Sequence, residues 1–351
     1  MQDRKAVIAG GGIIGLATAL ELADAGWHVT VFDQREAMSE ASRAAAGMLA
    51  GNDPGHPSEL RALAHLSLGL YPGFLARIEA LSGRKIPLRT SRTALGTQRR
   101  PPGLTPLSPD ELRALAPQIN PGSLEFFLLE EASFDAWDLA EALPAAVRAA
   151  GVHIQQHTPV LRARAEKSAV HVETAQGDVS ASVFLNAAGA WAPTLDASLP
   201  VFPRKGHMLT VELPGDAQTQ CVLRTDAIYI VPRGLNRYTI GSTVEDAGFD
   251  RSVDPEHIQG LFHKAASLWP PLREAQTVES WVGFRPASDD GLPILDTTAE
   301  NCWVATGHFR NGILLGPATG RVLSQWMSGR APEIDLTAFR ARRFASAPLS
   351  S

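Results

Sequence analysis

The hydrophobic positions of this chain change their period several times, and each change marks an element. Ala6-Val7-Ile8-Ala9 is a short apolar run of the kind a buried parallel strand makes. From Ile13 to Ala25 the apolar residues recur at helical spacing, and Gly26 supplies a stop. His28 to Phe32 alternates and ends on Asp33. Residues 59–82 return to helical spacing on Leu60, Leu63, Leu66, Leu70, Leu75 and Leu81. Ser108-Pro109-Asp110-Glu111 reads as a capping box opening a short helix to Ala116, and Asp138 to Ala150 as a helix closed by Gly151.

The second half turns to strands. Val170–Thr174 and Val179–Val183 alternate around a Gln176-Gly177-Asp178 turn, and Phe184 to Gly189 is a buried strand running into glycine. Met208–Leu213, Ala227–Val231 and Tyr238–Ser242 are strand-like runs separated by Pro and Gly. Strands joined by turns imply an antiparallel sheet, unlike the strand–helix alternation of the N-terminus. Cys302–Thr306 then reads as a buried strand, Gly312–Met327 as an amphipathic helix, and the tail beyond Arg343 as frayed. The expected class is α/β: a Rossmann-like domain with an inserted α+β domain carrying the antiparallel sheet. At 351 residues, two domains are the default.

Composition narrows the function. Apolar residues are 44% and charged residues 20% of the chain, an ordinary globular balance. A net charge of -5 without a Lys/Arg cluster argues against nucleic acid as partner. The most apolar stretch, Ala6 to Ala25, is broken by four glycines, Glu21 and Asp24, so neither a membrane span nor a signal peptide is expected. Two cysteines without metal-ligand spacing suit a reducing cytoplasm, and no metal site is expected.

Gly10-Gly11-Gly12-Ile13-Ile14-Gly15 fits G-x-G-x-x-G between a strand and a helix. Gly10 would permit the turn, Gly12 the approach of a pyrophosphate, and Gly15 close helix–sheet packing. The phosphates would sit at the helix N-terminus, where free N–H groups and the dipole favour negative charge. Asp33 stands where an acid would hold a ribose hydroxyl. Motif and context leave NAD and FAD both open. The small residues from Ala41-Ser42 to Gly47-Met48-Leu49 could pack on a large flat ligand or simply start an alanine-rich helix.

Four segments together resemble the D-amino-acid-oxidase superfamily of flavoproteins, and within it the glycine oxidases. They are the glycine loop with Asp33, the Ala41 to Leu49 run, Leu185-Asn186-Ala187-Ala188-Gly189-Ala190-Trp191, and a C-terminal block. That block comprises Trp281 to Pro286, Asp290-Gly291-Leu292-Pro293, and Gly307 to Leu315. The resemblance implies extended FAD contacted by Ile13, Ile14, Asp33, Gln34, Ala41, Ser42, Ala46, Gly47, Met48, Val160, His308, Phe309, Arg310, Asn311, Gly312, Ile313 and Leu314. It implies an FAD-binding domain of residues 1–80, 137–200 and 284–345 and a substrate domain of residues 81–136 and 201–283.

It further implies oxidation of the amine of glycine, sarcosine or a small D-amino acid. The products would be the 2-oxo acid, ammonia or an amine, and hydrogen peroxide, with the imine available for thiamine thiazole synthesis. A D-amino acid or imino acid dehydrogenase passing electrons to a quinone is the alternative. A homotetramer is implied as well. Arg285, read as lying between an aromatic strand and a proline turn, takes the position that grips the substrate carboxylate; a guanidinium fork matches a carboxylate bidentately. Arg310, read as opening the last helix, takes a second substrate position. Tyr229 is either a pocket tyrosine or a strand aromatic packing the core. His207 departs from the glutamine common in the family, which leaves its role between a polar contact and a structural histidine. Cys302 lies away from the position used for covalent flavin, so FAD is expected to be non-covalent.

Overall fold

In the computed structural model, which describes residues 4–167 and 169–344, two large sheets face each other across a cleft. The first is six-stranded, in the order Ile294–Ala299, Cys302–Thr306, Val183–Asn186, Lys5–Ala9, His28–Phe32, His153–Gln155. All neighbours run parallel except the Ile294–Ala299 edge. Its N-terminal strand shows why the run is apolar throughout. Ala6 and Ile8 join the core under helices Ile13–Asp24, Arg61–Ser82, Ala136–Ala149 and Gly312–Met327. Val7 and Ala9 point to the other face, against a three-stranded antiparallel sheet of Val160–Ala165, Val170–Thr174 and Gly177–Ala181. A strand covered on both sides has no solvent face on which to place polar residues.

The second sheet is seven-stranded, in the order Gln276–Ala287, Phe202–Glu212, Arg237–Gly241, Tyr229–Gly234, Val222–Thr225, Thr93–Thr97, Glu125–Leu129. It is antiparallel as expected, apart from one parallel pair, Thr93–Thr97 with Val222–Thr225. One face is a core of Leu209, Val211, Leu223, Ile230 and Ile240 under helices Pro109–Leu115 and Pro255–Leu268. Period-2 alternation sends Met208, Arg224 and Tyr229 to the opposite face, which lines the cleft.

Several expectations shift. Helix Ala136–Ala149 starts two residues before Asp138, because the Asp135 carboxylate accepts the Trp137 N–H at 2.9 Å as N-cap. The alternating stretch 179–183 divides at Ser182, with Gly177–Ala181 in the small antiparallel sheet and Val183–Asn186 in the parallel one. No proline turn follows Arg285: Pro286 lies inside Gln276–Ala287, an edge strand, opposite Pro203, where a missing N–H is tolerated. Arg310 does not open the last helix but sits in the turn before Asn311, its N-cap. The capping box at Ser108 and Glu111 is present as read. The fraying expected beyond Arg343 falls, apart from Phe344, outside the described residues. No helix among the described residues is long and apolar enough to cross a membrane.

Candidate active site

A cavity of about 530 Å³ runs through the cleft from the glycine loop to the inner face of the seven-stranded sheet. The candidate residues named above for cofactor or substrate line it, except Gly15 and His207. Gly15 instead meets Gly10: a Cβ there would collide with the Gly10 carbonyl, so this glycine serves the close packing of helix on strand. Gly10 has φ +107 and a Cβ on it would collide with the Ala187 carbonyl, so the turn requires glycine.

At this end Asp33 accepts the Gly11 N–H at 2.6 Å and the Arg35 N–H at 2.8 Å. Burial raises the Asp33 carboxyl above its usual value, outweighing those two amides. Each carboxylate oxygen retains acceptor capacity toward the cavity. Ser42 Oγ accepts the Ile13 N–H at 3.0 Å, tying the small-residue run to the first turn of the helix. The same run docks on the second sheet: Trp281 Nε1 donates to the Ala44 carbonyl at 3.2 Å, and a Cβ on Gly283 would lie 2.5 Å from the Ala44 Cβ. Alanine and glycine are needed where the two layers touch. Asp33→Ala is expected to weaken FAD retention by roughly 1.5–3 kcal/mol, the range for hydrogen bonds to a charged group. Substrate preference should stay as in the parent; equal FAD affinity in a titration of the apoproteins would mean the carboxylate serves only the loop.

At the other end three arginines line the cavity: Arg224, Arg285 and Arg310. Arg224 is paired, with Glu131 at 3.1 Å and Asp53 at 3.6 Å. Burial raises the Glu131 carboxyl, against the opposing pull of Arg224. Among the described residues neither Arg285 nor Arg310 has a carboxylate within 4.0 Å. Arg285 donates from Nη1 to the Thr243 carbonyl at 3.2 Å and from Nη2 to Ser242 Oγ at 2.7 Å. Its guanidinium lies flat on Gly206, where any Cβ would collide with it. Burial works against the Arg285 charge, and the Tyr229 hydroxyl beside it favours that charge. Tyr229 in turn lies over Gly241, another position where a Cβ would collide. Arg310 is exposed, with its guanidinium 5.4 Å from the Phe309 ring centroid.

Helix Gly312–Met327 points its N-terminus into the same space, and Gly312, Ile313 and Leu314 all line the cavity. Their N–H groups precede the first intrahelical bond, Leu315 N–H to Asn311 C=O at 2.8 Å. Such a terminus favours negative charge. His308 is buried, faces Thr319 Oγ1 at 3.2 Å, and is pushed down to about 3 by burial, so it is neutral near pH 7.

Some lining residues escaped the sequence reading. His56 Nε2 meets Asn311 Oδ1 at 3.2 Å, and Asp53 and His56 come from a loop without periodic pattern. Arg224 had a signal, a lone cation in the apolar run Cys221-Val222-Leu223. His207 is fully buried and lies outside the cavity lining. Cys302 is buried in its strand, pushed up to about 11 by burial, and does not line the cavity.

Comparison with known proteins agrees with this geometry. The model of the FAD dependent oxidoreductase family, DAO, matches residues 5–326. Glycine oxidase of Geobacillus kaustophilus is 34% identical over 363 residues, covering 96% of each chain. The bifunctional protein ThiO/ThiG of Trichormus variabilis is 36% identical over 97% of this chain, which spans 55% of that longer protein. The crystal structure of glycine oxidase from Geobacillus kaustophilus superposes with a TM-score of 0.91 at 32% identity, covering 97% of this chain and 99% of that one. L-proline dehydrogenase from P. horikoshii shares the fold at 16% identity and a TM-score of 0.87. With a family model spanning most of its length and relatives above 30% identity end to end, the chain belongs to the FAD dependent oxidoreductase (DAO) family.

Proposed function

We propose that this protein catalyses FAD-dependent oxidative deamination of glycine, sarcosine or a small D-amino acid, with oxygen as acceptor. The observation that carries the reading is the pair of cavity arginines without a carboxylate partner among the described residues, beside a third that has two. Of the two, Arg285 is enclosed against Gly206 and Tyr229, and an enclosed cation without a counter-ion is costly unless a ligand supplies one. A substrate carboxylate does so, and the fork of Arg285 can hold it in a fixed plane. Tyr229, packed against that guanidinium, limits the room left for a side chain. Bound FAD supplies the chemistry that takes hydride from the amine-bearing carbon and passes the electrons to oxygen. The chain's part is to hold the phosphates at the Gly10–Ile14 turn, orient the amine, and present the N-terminus of Gly312–Met327 where negative charge develops.

The same reading divides the chain into an FAD-binding domain (1–80, 137–200, 284–345) and a substrate domain (81–136, 201–283). The two sheets support that division, with strand Gln276–Ala287 running across its last boundary. Supply of the imine for thiamine thiazole synthesis, a cytoplasmic location and a homotetramer accompany it; light scattering at four times the chain mass checks the last.

The experiment is an amine panel on the purified yellow protein, with peroxide measured beside anaerobic flavin bleaching. Glycine, sarcosine or a small D-amino acid is expected to bleach the flavin and to yield peroxide in air. Bleaching without peroxide would turn the reading to a quinone-linked dehydrogenase. Acid precipitation of the same sample should release FAD, because both cysteines, Cys221 and Cys302, are buried away from the cavity.

A further inference from the structure

His207, Glu245 and His257 gather behind Arg285, with ligand-type atoms within 4.8 Å of one another. The geometry of a metal site is present, but the protons count against it. His207 Nε2 lies 2.9 Å from the backbone N–H of Asp254, which can only donate. That nitrogen must therefore carry a lone pair. The single proton of the neutral ring then sits on Nδ1, 2.8 Å from Glu245 Oε1. A metal on Nδ1 would demand a ring with no proton at all. His207 is instead a donor at one end and an acceptor at the other.

What it joins is informative. Asp254 is the N-cap of helix Pro255–Leu268. Glu245 ends a segment, 242–245, that follows strand Arg237–Gly241 and supplies both acceptors of the Arg285 guanidinium, Ser242 Oγ and the Thr243 carbonyl. The backbone N–H of His207 donates to Thr243 Oγ1 at 2.8 Å, and the Thr243 hydroxyl donates to Glu245 Oε1. Glu245 also exchanges two backbone hydrogen bonds with Lys205, at 3.0 and 2.9 Å. The His257 ring lies against that of His207, tilted by 40° with centroids 4.8 Å apart. The residue before His207 is Gly206, the floor under the guanidinium. The floor is thus the chain neighbour of His207, and the rim is held both by its backbone N–H and by its buried imidazole, whose Nδ1 lies 2.8 Å from Glu245 Oε1 and 3.2 Å from Thr243 Oγ1.

We propose that His207 is a positioning residue for substrate: through Thr243 and Glu245 it fixes the 242–245 segment, which aims Arg285 at the substrate carboxylate. This rests on the reading of Arg285 as the carboxylate anchor. A misplaced anchor costs binding and orientation of carboxylate ligands while leaving the flavin and the amine chemistry in place.

The test compares His207→Leu, His207→Gln and Arg285→Ala holoenzymes. Acetate is titrated against the flavin absorbance, and glycine, sarcosine and ethylamine are compared in turnover. His207→Leu, which keeps bulk and the backbone bond to Thr243 but loses the ring's bonds to Glu245 and Asp254, should raise KM for glycine and Kd for acetate by about 10-fold or more. The change in kcat should be smaller, and ethylamine turnover and FAD content should stay at parental levels. Glutamine offers one donor and one acceptor, so His207→Gln should return both values to within about 3-fold of the parent. Should His207→Leu fail to fold, Glu245→Ala removes the partner from a part-exposed position and should raise the same two quantities. Parental acetate affinity in His207→Leu (or in Glu245→Ala in its place), an equal loss for ethylamine, or a glutamine variant as impaired as the leucine one would each overturn the proposal. Stoichiometric zinc bound by the parent and lost in His207→Gln would do so too. Undiminished acetate binding in Arg285→Ala would instead strike the underlying reading, and the two failures are distinguishable.

Discussion

Arg285→Ala is expected to lower kcat/KM for glycine or sarcosine by about 10²- to 10⁴-fold while FAD content stays near the parent's. The figure follows from breaking a buried charge pair by removing one partner, roughly 3–5 kcal/mol, read as transition-state free energy. The surroundings of Arg285 sharpen the expectation. Among the described residues no acid neutralises it, its two protein acceptors are a hydroxyl and a carbonyl, and Tyr229 closes one side. Removing the side chain leaves Ser242 and Thr243 with acceptors that water can satisfy, so the loss falls on the substrate. KM should rise where the arginine binds ground and transition states alike, and kcat should fall where the α-hydrogen is misaimed. A carboxylate-free amine never used the arginine and should lose far less. An equal loss for glycine and for such an amine would make Arg285 a structural residue.

Arg233→Ala is expected to destabilise the protein by roughly 3–5 kcal/mol, again as the cost of one buried charge left alone. Arg233, on strand Tyr229–Gly234, donates from Nε to Asp135 Oδ2 at 2.7 Å and from Nη2 to Asp135 Oδ1. Nη1 reaches Thr210 Oγ1 at 3.0 Å, and the guanidinium lies 4.5 Å from the Trp137 ring centroid. The side chains are only 10% and 13% exposed, so solvent cannot replace the partner cheaply. Asp135 is also the N-cap of helix Ala136–Ala149, so the pair clamps the seven-stranded sheet to a helix that packs on the six-stranded one. The melting midpoint of the FAD-loaded protein should drop by roughly 4–7 °C, and a lysine variant, charged but without the fork, should fall between. A midpoint equal to the parent's would show that the pair contributes nothing net.

The parts of this protein that can be read along the chain are those whose signals are local. The strand–glycine–helix start at 5–24, the capping box at Ser108, the strand at Cys302 and the helix at Gly312 all appear as read. Each rests on turn chemistry or a periodicity spanning a few residues, where the physics involves only near neighbours. Asp33 is legible for the same reason, from its place after the glycine loop, whereas the small-residue run and the His308–Leu314 segment become legible only through the family resemblance; all three line one cavity. Two misreadings show where local signals run out. Asp254-Pro255 carries an N-cap and a first-turn proline, yet helix Pro255–Leu268 is absent from the elements expected of the sequence, and Arg285-Pro286 reads as a turn though it is edge strand. A proline reports a missing N–H, and only the sheet order reveals whether a neighbouring strand needed it.

The electrostatics of the site arise only from long-range packing. Arg224, Arg233, Arg285 and Arg310 are alike along the chain. Their fates separate because Glu131 is 93 positions from Arg224 and Asp135 is 98 from Arg233, while no acid reaches Arg285 or Arg310 among the described residues. The pairing of a charge depends on which strands lie side by side and in what register, and that is settled by packing over the whole molecule rather than by any neighbour in sequence. His207 likewise acquires its fixed proton only when Asp254, 47 positions on, folds back to meet its Nε2.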